Sequence, residues 1–153
     1  MQTTQDIALL EAAKDKAITT ILTQYEKESG GHFMSRHGSQ ITDPQLIDRA
    51  TKGIYPDMPN AIPQTRLVDA TRWNSNADMA EAITKAEAMY KANPSFYKDG
   101  KVTFDMGRIV GDGYTKISAQ HLGASMAEVR FNTTTGKPYT AYPVIDPKLK
   151  PTR

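Results

Sequence analysis

The sequence contains no cysteine among its 153 residues. Disulfide staples and thiolate zinc sites are thereby excluded, so stability has to come from a packed core. Long hydrophobic runs are missing too. Apolar residues make up 39% of the chain, enough for one core. Yet no stretch approaches the roughly 18–20 consecutive apolar residues that a membrane helix needs. The opening MQTTQDIALLEAAKDK lacks a basic start followed by an apolar segment, so no secretory signal peptide is read there. A strong excess of charge of either sign is also missing, with 19 Lys and Arg against 17 Asp and Glu. The net charge of +2 and a pI near 8.8 suit RNA or another polyanion without singling one out. There is no glycine-rich phosphate loop, no G-x-S-x-G elbow and no H-E-x-x-H helix. No internal repeat or low-complexity segment is present.

What is present reads as one domain in this length range. Residues 4–28 carry Ile7, Leu10, Ala13, Ala17, Ile18, Ile21, Leu22 and Tyr25 at a helical period, and Ser29-Gly30-Gly31 ends that helix. TDPQLIDRATKG predicts a short second helix: Thr42 or Asp43 caps it, Pro44 suits the first turn, and Gly53 marks the exit. Prolines 56, 59 and 63 make the next stretch an ordered loop. RLVDATRW, 66–73, reads as a strand. A third helix follows, capped by Ser75 or Asn76, with Met79, Ile83, Ala86 and Tyr90 as its apolar stripe, and stopped at Asn93-Pro94.

Beyond this point the period changes to two. KVTFDMGRIVG alternates like a half-buried strand, and AEVRFNTTTGKPYTAYPVI reads as a hairpin turning near Thr135-Gly136. Residues 114–123 fit neither period. The tail DPKLKPTR, 146–153, reads as a frayed end. Helices first and strands later predict an α+β fold, with N-terminal helices packed on a mostly antiparallel sheet.

Residues able to do proton chemistry are few. His32 and His37 lie in GGHFMSRHGSQ, and His121 lies in the unassigned stretch. Imidazole is the side chain most readily poised for proton transfer near neutral pH. His32 and His37 stand five apart with no nearby pair of acids, which is no metal-ligand pattern; no metal and no cofactor is expected. Arg49 follows His37 by twelve residues, on the short helix. Its guanidinium suits a phosphate, or equally an acidic surface partner. Thr140 and Tyr142 lie two apart in the last predicted strand, so both hydroxyls point to one face.

The pieces GGHFMSRHG, LIDR, VDATRWNSNADMAEAI, MGRIVGDGY and YTAYP, in that order from about Gly30 to Val144, resemble the bacterial RNase A-like toxin domain. That domain is found at the C-terminal end of contact-dependent growth inhibition effectors (the CdiA family). The resemblance implies an RNase A-like fold without disulfides and a single toxin domain over 1–153. Within it, residues 1–29 form an N-terminal helix, 30–145 the catalytic core and 146–153 a tail. It implies a metal-independent endoribonuclease that acts through the 2′-hydroxyl of RNA and leaves a 2′,3′-cyclic phosphate. It assigns His37, Arg49, Thr140 and Tyr142 to the active site. The step from histidine to arginine is one residue longer here than in the family, so His32 stands as the alternative histidine.

The resemblance further implies an RNA substrate and a cognate immunity protein that blocks the site. Such a domain forms the C-terminal part of a larger secreted or cell-surface effector and acts in the cytoplasm of the target bacterium. Two other readings stay open: a tRNA-cleaving toxin of the barnase or EndoU type, and a non-catalytic adaptor that binds RNA or protein. The nuclease readings separate on whether His37 and Arg49 converge with Thr140 and Tyr142. For base stacking, Tyr55, Trp73, Tyr114 and Tyr139 are available.

Overall fold

A computed structural model describes residues 4–145. Four helices, α1 (Thr4–Ser29), α2 (Phe33–His37), α3 (Asp43–Lys52) and α4 (Asn76–Ala92), combine with five strands. The strands are β1 (Ala70–Trp73), β2 (Lys101–Asp105), β3 (Gly111–Tyr114), β4 (His121–Phe131) and β5 (Pro138–Ile145). All strand pairs are antiparallel, which makes the fold α+β as expected. No helix among the described residues is long and apolar enough to cross a membrane.

β4 organises the sheet. Its first residues pair with β3, which carries β1; the remainder pairs with β2 and with β5. Because Val129 is opposite both Val102 and Ala141, β2 and β5 flank β4 on its two edges. Directly opposed residues share a face of the sheet, and neighbours along a strand alternate. The row Val102–Val129–Ala141 is buried in the core. The two rows beside it, Lys101–Arg130–Thr140 and Thr103–Glu128–Tyr142, therefore occupy the opposite face.

The core face is covered mainly by α4, through Met79, Ala82, Ile83 and Ala86, together with Leu22 of α1, Phe33 of α2 and Trp73. Trp73 is fully buried and donates its indole N–H to the Ala141 carbonyl at 3.1 Å. A second, smaller cluster of Ile41, Leu46, Ala50 and Ala70 seats α3 against β1.

Several sequence expectations change. Of the α1 stripe, Ile18 and Leu22 reach the core, whereas Ala13, Ala17 and Ile21 are exposed. Among the described side chains of that helix, contact with the core begins at Ile18. The side chains of Ile7, Leu10 and Tyr25, like the tail 146–153, lie outside the described residues. The strand expected over 66–73 begins only at Ala70, so Arg66–Asp69 are not in the ladder. The alternating run from 101 breaks after Asp105, and β3 starts afresh at Gly111. Within the unassigned stretch, residues 115–120 form a tight turn between β3 and β4, with positive φ at Ile117 (72°) and Ala119 (51°). After it β4 begins at His121, six residues ahead of the expected hairpin arm.

Candidate active site

The face of the sheet opposite the core forms the floor of a pocket of about 310 Å³. His37, Arg49, Thr140 and Tyr142 all line it. Four residues spread over more than a hundred positions of sequence are thus brought together, two by helices and two by the last strand. His32 lines the same pocket, so the two histidines taken as alternatives share one site. His121 does not: its Nε2 meets Asp112 at 2.6 Å, and the ring is half exposed at the far end of β4.

His37 is positioned from several sides. Glu26 of α1 accepts hydrogen bonds from the backbone N–H of Met34 and Ser35 at 3.0 Å each, so it caps α2. The His32 amide bonds the Tyr139 carbonyl, tying the entry of α2 to β5, and Phe33 is buried in the core. α2 escaped sequence reading because five residues show no helical period. His37 is buried, with Nδ1 3.2 Å from the carbonyl oxygen of Thr71. A carbonyl only accepts, so Nδ1 carries the proton and Nε2 keeps its lone pair. Burial, and then the positive charge of Arg49, hold the imidazole well below its ordinary pKa. His37 is therefore neutral near pH 7, in the tautomer of a base.

Arg49 sits on α3, which carries a complete set of stop and start signals. Thr42 and Gln45 form a capping box, Pro44 occupies the first turn, and Gly53 ends the helix at φ 74°. A Cβ at Gly53 would lie 2.3 Å from the carbonyl oxygen of Gln64, so glycine is required by both torsion and space. The proline loop leaves from there and returns through Gln64 N–H to Gly53 C=O at 3.0 Å. It supplies Tyr55, whose ring lies under Arg36 at 4.1 Å and Arg49 at 5.3 Å.

The two arginines differ in their partners. Arg36 makes two 3.0 Å hydrogen bonds to Asp57, which also meets His32 Nδ1 at 3.1 Å. Burial acts to raise the Asp57 carboxyl, but the Arg36 hydrogen bonds outweigh it and hold the group below its usual range. Arg49 has no such acid. Its Nε and Nη1 are buried without a hydrogen-bond partner among the described residues. Burial, then the charge of Arg36, bring its pKa down to about 10. A buried guanidinium left unpaired beside a second cation is an acceptor site for an anion.

On the floor, Tyr142 donates its hydroxyl proton to Glu128, directly opposite on β4. Glu128 also receives Arg130 Nε at 2.6 Å and the Thr103 hydroxyl at 3.1 Å. Burial, then the hydrogen bond to Glu128, raise the Tyr142 phenol far above its ordinary value. Tyr142 is thus a poor proton donor or acceptor. Its ring centroid lies 5.1 Å from that of His37. Of the four aromatics named for stacking, Tyr55 and Tyr139 line the pocket, Trp73 is in the core, and Tyr114 packs on the second cluster.

Glu128, Arg130, Arg36 and Asp57 escaped sequence reading. Glu128 and Arg130 lie in the expected hairpin arm, but their part in the site becomes visible only once the register against β5 is known, because that pairing sets them opposite Tyr142 and Thr140. No protein-family model matches the chain, and no curated protein matches it. A solved structure, a CdiA-CT/CdiI complex from Y. kristensenii 33638, shares the fold with a TM-score of 0.52. The match has 21% sequence identity and covers 74% of this chain and 99% of that one.

Proposed function

We propose that this chain is a metal-independent endoribonuclease of the RNase A-like type, deployed as a toxin of contact-dependent growth inhibition. The observation that carries the reading is the convergence of a neutral, buried His37 with the unpaired guanidinium of Arg49, over a strand face bearing Thr140 and Tyr142. That convergence favours this site over the barnase and EndoU alternative, and a buried base beside an anion site is more than an adaptor needs. The shared fold with a CdiA-CT domain solved in complex with CdiI supports the toxin role. The same reading makes this domain the C-terminal part of a larger effector that acts in the target cytoplasm and is blocked by an immunity protein.

The chemistry follows from the substrate. RNA carries its own nucleophile, so the protein has only to move protons and stabilise charge. His37 Nε2 takes the 2′-O–H proton. The 2′-oxygen bonds to phosphorus, the P–O5′ bond breaks, and the 5′-oxygen leaves with a proton. The products are a 2′,3′-cyclic phosphate and a free 5′-hydroxyl. Positioned proton transfer of this kind contributes about 10²–10⁴-fold. Arg49 meets the charge that grows on the non-bridging oxygens, and Thr140 adds a hydroxyl from the floor. Tyr142 keeps its proton and packs its ring against the imidazole.

The leaving-group proton is assigned to His32. It is the second imidazole of the pocket, and Asp57 fixes its ring. A substrate with sulfur in place of the 5′-oxygen needs no acid. His32→Ala therefore slows the natural substrate by about 10² or more and the sulfur substrate little, whereas His37→Ala slows both. Equal losses on both substrates remove His32 from this role. The overall reading is tested by incubating RNA with the protein in EDTA: wild type cleaves it, and His37→Ala and Arg49→Ala do not. Intact RNA at micromolar wild-type protein ends the proposal.

A further inference from the structure

Among the described residues there are six arginines: Arg36, Arg49, Arg66, Arg72, Arg108 and Arg130. Four of them pair with carboxylates: Arg36 with Asp57, Arg72 with Asp43 and Asp112, Arg108 with Asp78 and Glu81, and Arg130 with Glu128. The two that do not, Arg49 and Arg66, line adjoining cavities. Arg66 belongs to a second cavity of about 500 Å³, whose wall shares Gln64, Val68, Asp69 and Arg130 with the pocket of His37. The two cavities adjoin along these four residues, and we read them as the inner and outer parts of one groove.

The outer part of this groove is cationic. Lys101 and Lys116 line it with Arg66 and Arg130, and no ion pair engages either lysine among the described residues. Asp69 is the one acid in the wall, and its Oδ1 accepts the backbone N–H of Lys116 at 2.9 Å. The register gives the groove a direction. Thr140, Arg130 and Lys101 are directly opposite one another on β5, β4 and β2. Adjacent strands are about 4.8 Å apart, so this row carries positive charge about 10 Å outward from the reaction pocket. Arg66–Asp69, off the ladder, form the other wall.

A polynucleotide repeats its phosphate along the chain, so a strand with one linkage at Thr140 runs its neighbours out along this row. We infer that the outer groove is a second phosphate-binding site, in which Arg66, Lys101 and Lys116 hold the flanking phosphates of a single-stranded polynucleotide. The choice of occupant rests on the ribonuclease reading. The substrate is then a chain of several nucleotides, and a dinucleotide fills only part of the site.

The test compares wild type with the triple variant Arg66→Gln, Lys101→Gln, Lys116→Gln, all at exposed positions. Two substrates are used: a dinucleoside monophosphate and a single-stranded RNA of about twelve nucleotides, within the range such grooves span. The ratio of their kcat/KM values, long over short, falls tenfold or more in the variant. For the long RNA, the slope of log kcat/KM against log salt becomes shallower by about 2, near 0.7 for each charge removed. A binding arm measures fluorescence anisotropy of the same long RNA on His37→Ala protein, with and without the three substitutions. Binding at least tenfold weaker in the substituted protein upholds the groove even if no RNA is ever cut, a result that sinks the ribonuclease reading alone. An unchanged ratio, slope and affinity overturn the groove and leave the ribonuclease reading standing.

Discussion

Arg49 offers a perturbation whose two effects run in opposite directions. In the free protein its buried Nε and Nη1 lack partners, and its pKa is brought down from the ordinary arginine range to about 10. At about 1.4 kcal/mol for each pH unit, holding that charge costs the folded state about 3 kcal/mol. Replacing it with Met keeps an unbranched stem and removes the charge. The contact with the Tyr55 ring is lost as well, worth about 1 kcal/mol. Arg49→Met is therefore expected to be more stable than wild type by about 1–2 kcal/mol in buffer free of polyvalent anions. For a chain of this size that is about 3–6 °C in Tm. Differential scanning calorimetry reads it directly. Inorganic phosphate closes the gap, because it stabilises wild type by about 1.4 kcal/mol at ten times its Kd and leaves the variant unmoved. Activity moves the other way, with kcat/KM down by about 10²–10³. A variant less stable than wild type, and still active, would refute the reasoning: the guanidinium would then be a structural strut.

The remaining predictions follow from neighbouring groups. The lowered pKa of His37 means that the unfolded chain takes up a proton near 6.5 that the folded chain still refuses. Stability therefore falls as pH drops below about 6.5, by up to about 1.4 kcal/mol per pH unit, and the excess of wild type over His37→Gln shrinks between pH 7 and 5. Urea denaturation at each pH measures it; a pH-independent difference contradicts the burial argument. Tyr142→Phe keeps the ring against His37 and loses about 1–2 kcal/mol of stability with the bond to Glu128. Its kcat/KM falls less than tenfold, against about 10² for Tyr142→Ala, in which the imbalance of packing misplaces the imidazole. Gly53→Ala forces a Cβ onto the Gln64 backbone at positive φ and costs about 2 kcal/mol or more, read from the denaturation midpoint, together with a raised KM as Tyr55 and Asp57 shift.

What could be read from sequence followed the strength of the local signals. α3 was legible to within a residue because its capping box, proline and terminal glycine each satisfy a backbone group on the spot. α4 was legible for the same reason at Ser75 and Asn93. β4 was not, because its first residues depend on pairing with β3 across a turn held at positive φ by non-glycine residues. The four residues His37, Arg49, Thr140 and Tyr142 were named by resemblance, and the fold gathers them in one pocket. The partners that set their chemistry were hidden. Thr71 offers a backbone carbonyl, which has no sequence signature. Glu128 acts through a register that only the assembled sheet defines, and Asp57 sits in a loop whose path depends on Gly53.

The most direct test of the central claim uses a DNA strand with a single ribonucleotide embedded in it, treated with the protein in EDTA and analysed by mass spectrometry. The mechanism proposed for His37 and Arg49 predicts one cut, on the 3′ side of the ribose, leaving a 2′,3′-cyclic phosphate and a 5′-hydroxyl. Cleavage of the all-deoxy strand, or a first product that ends in a 5′-phosphate, would contradict it.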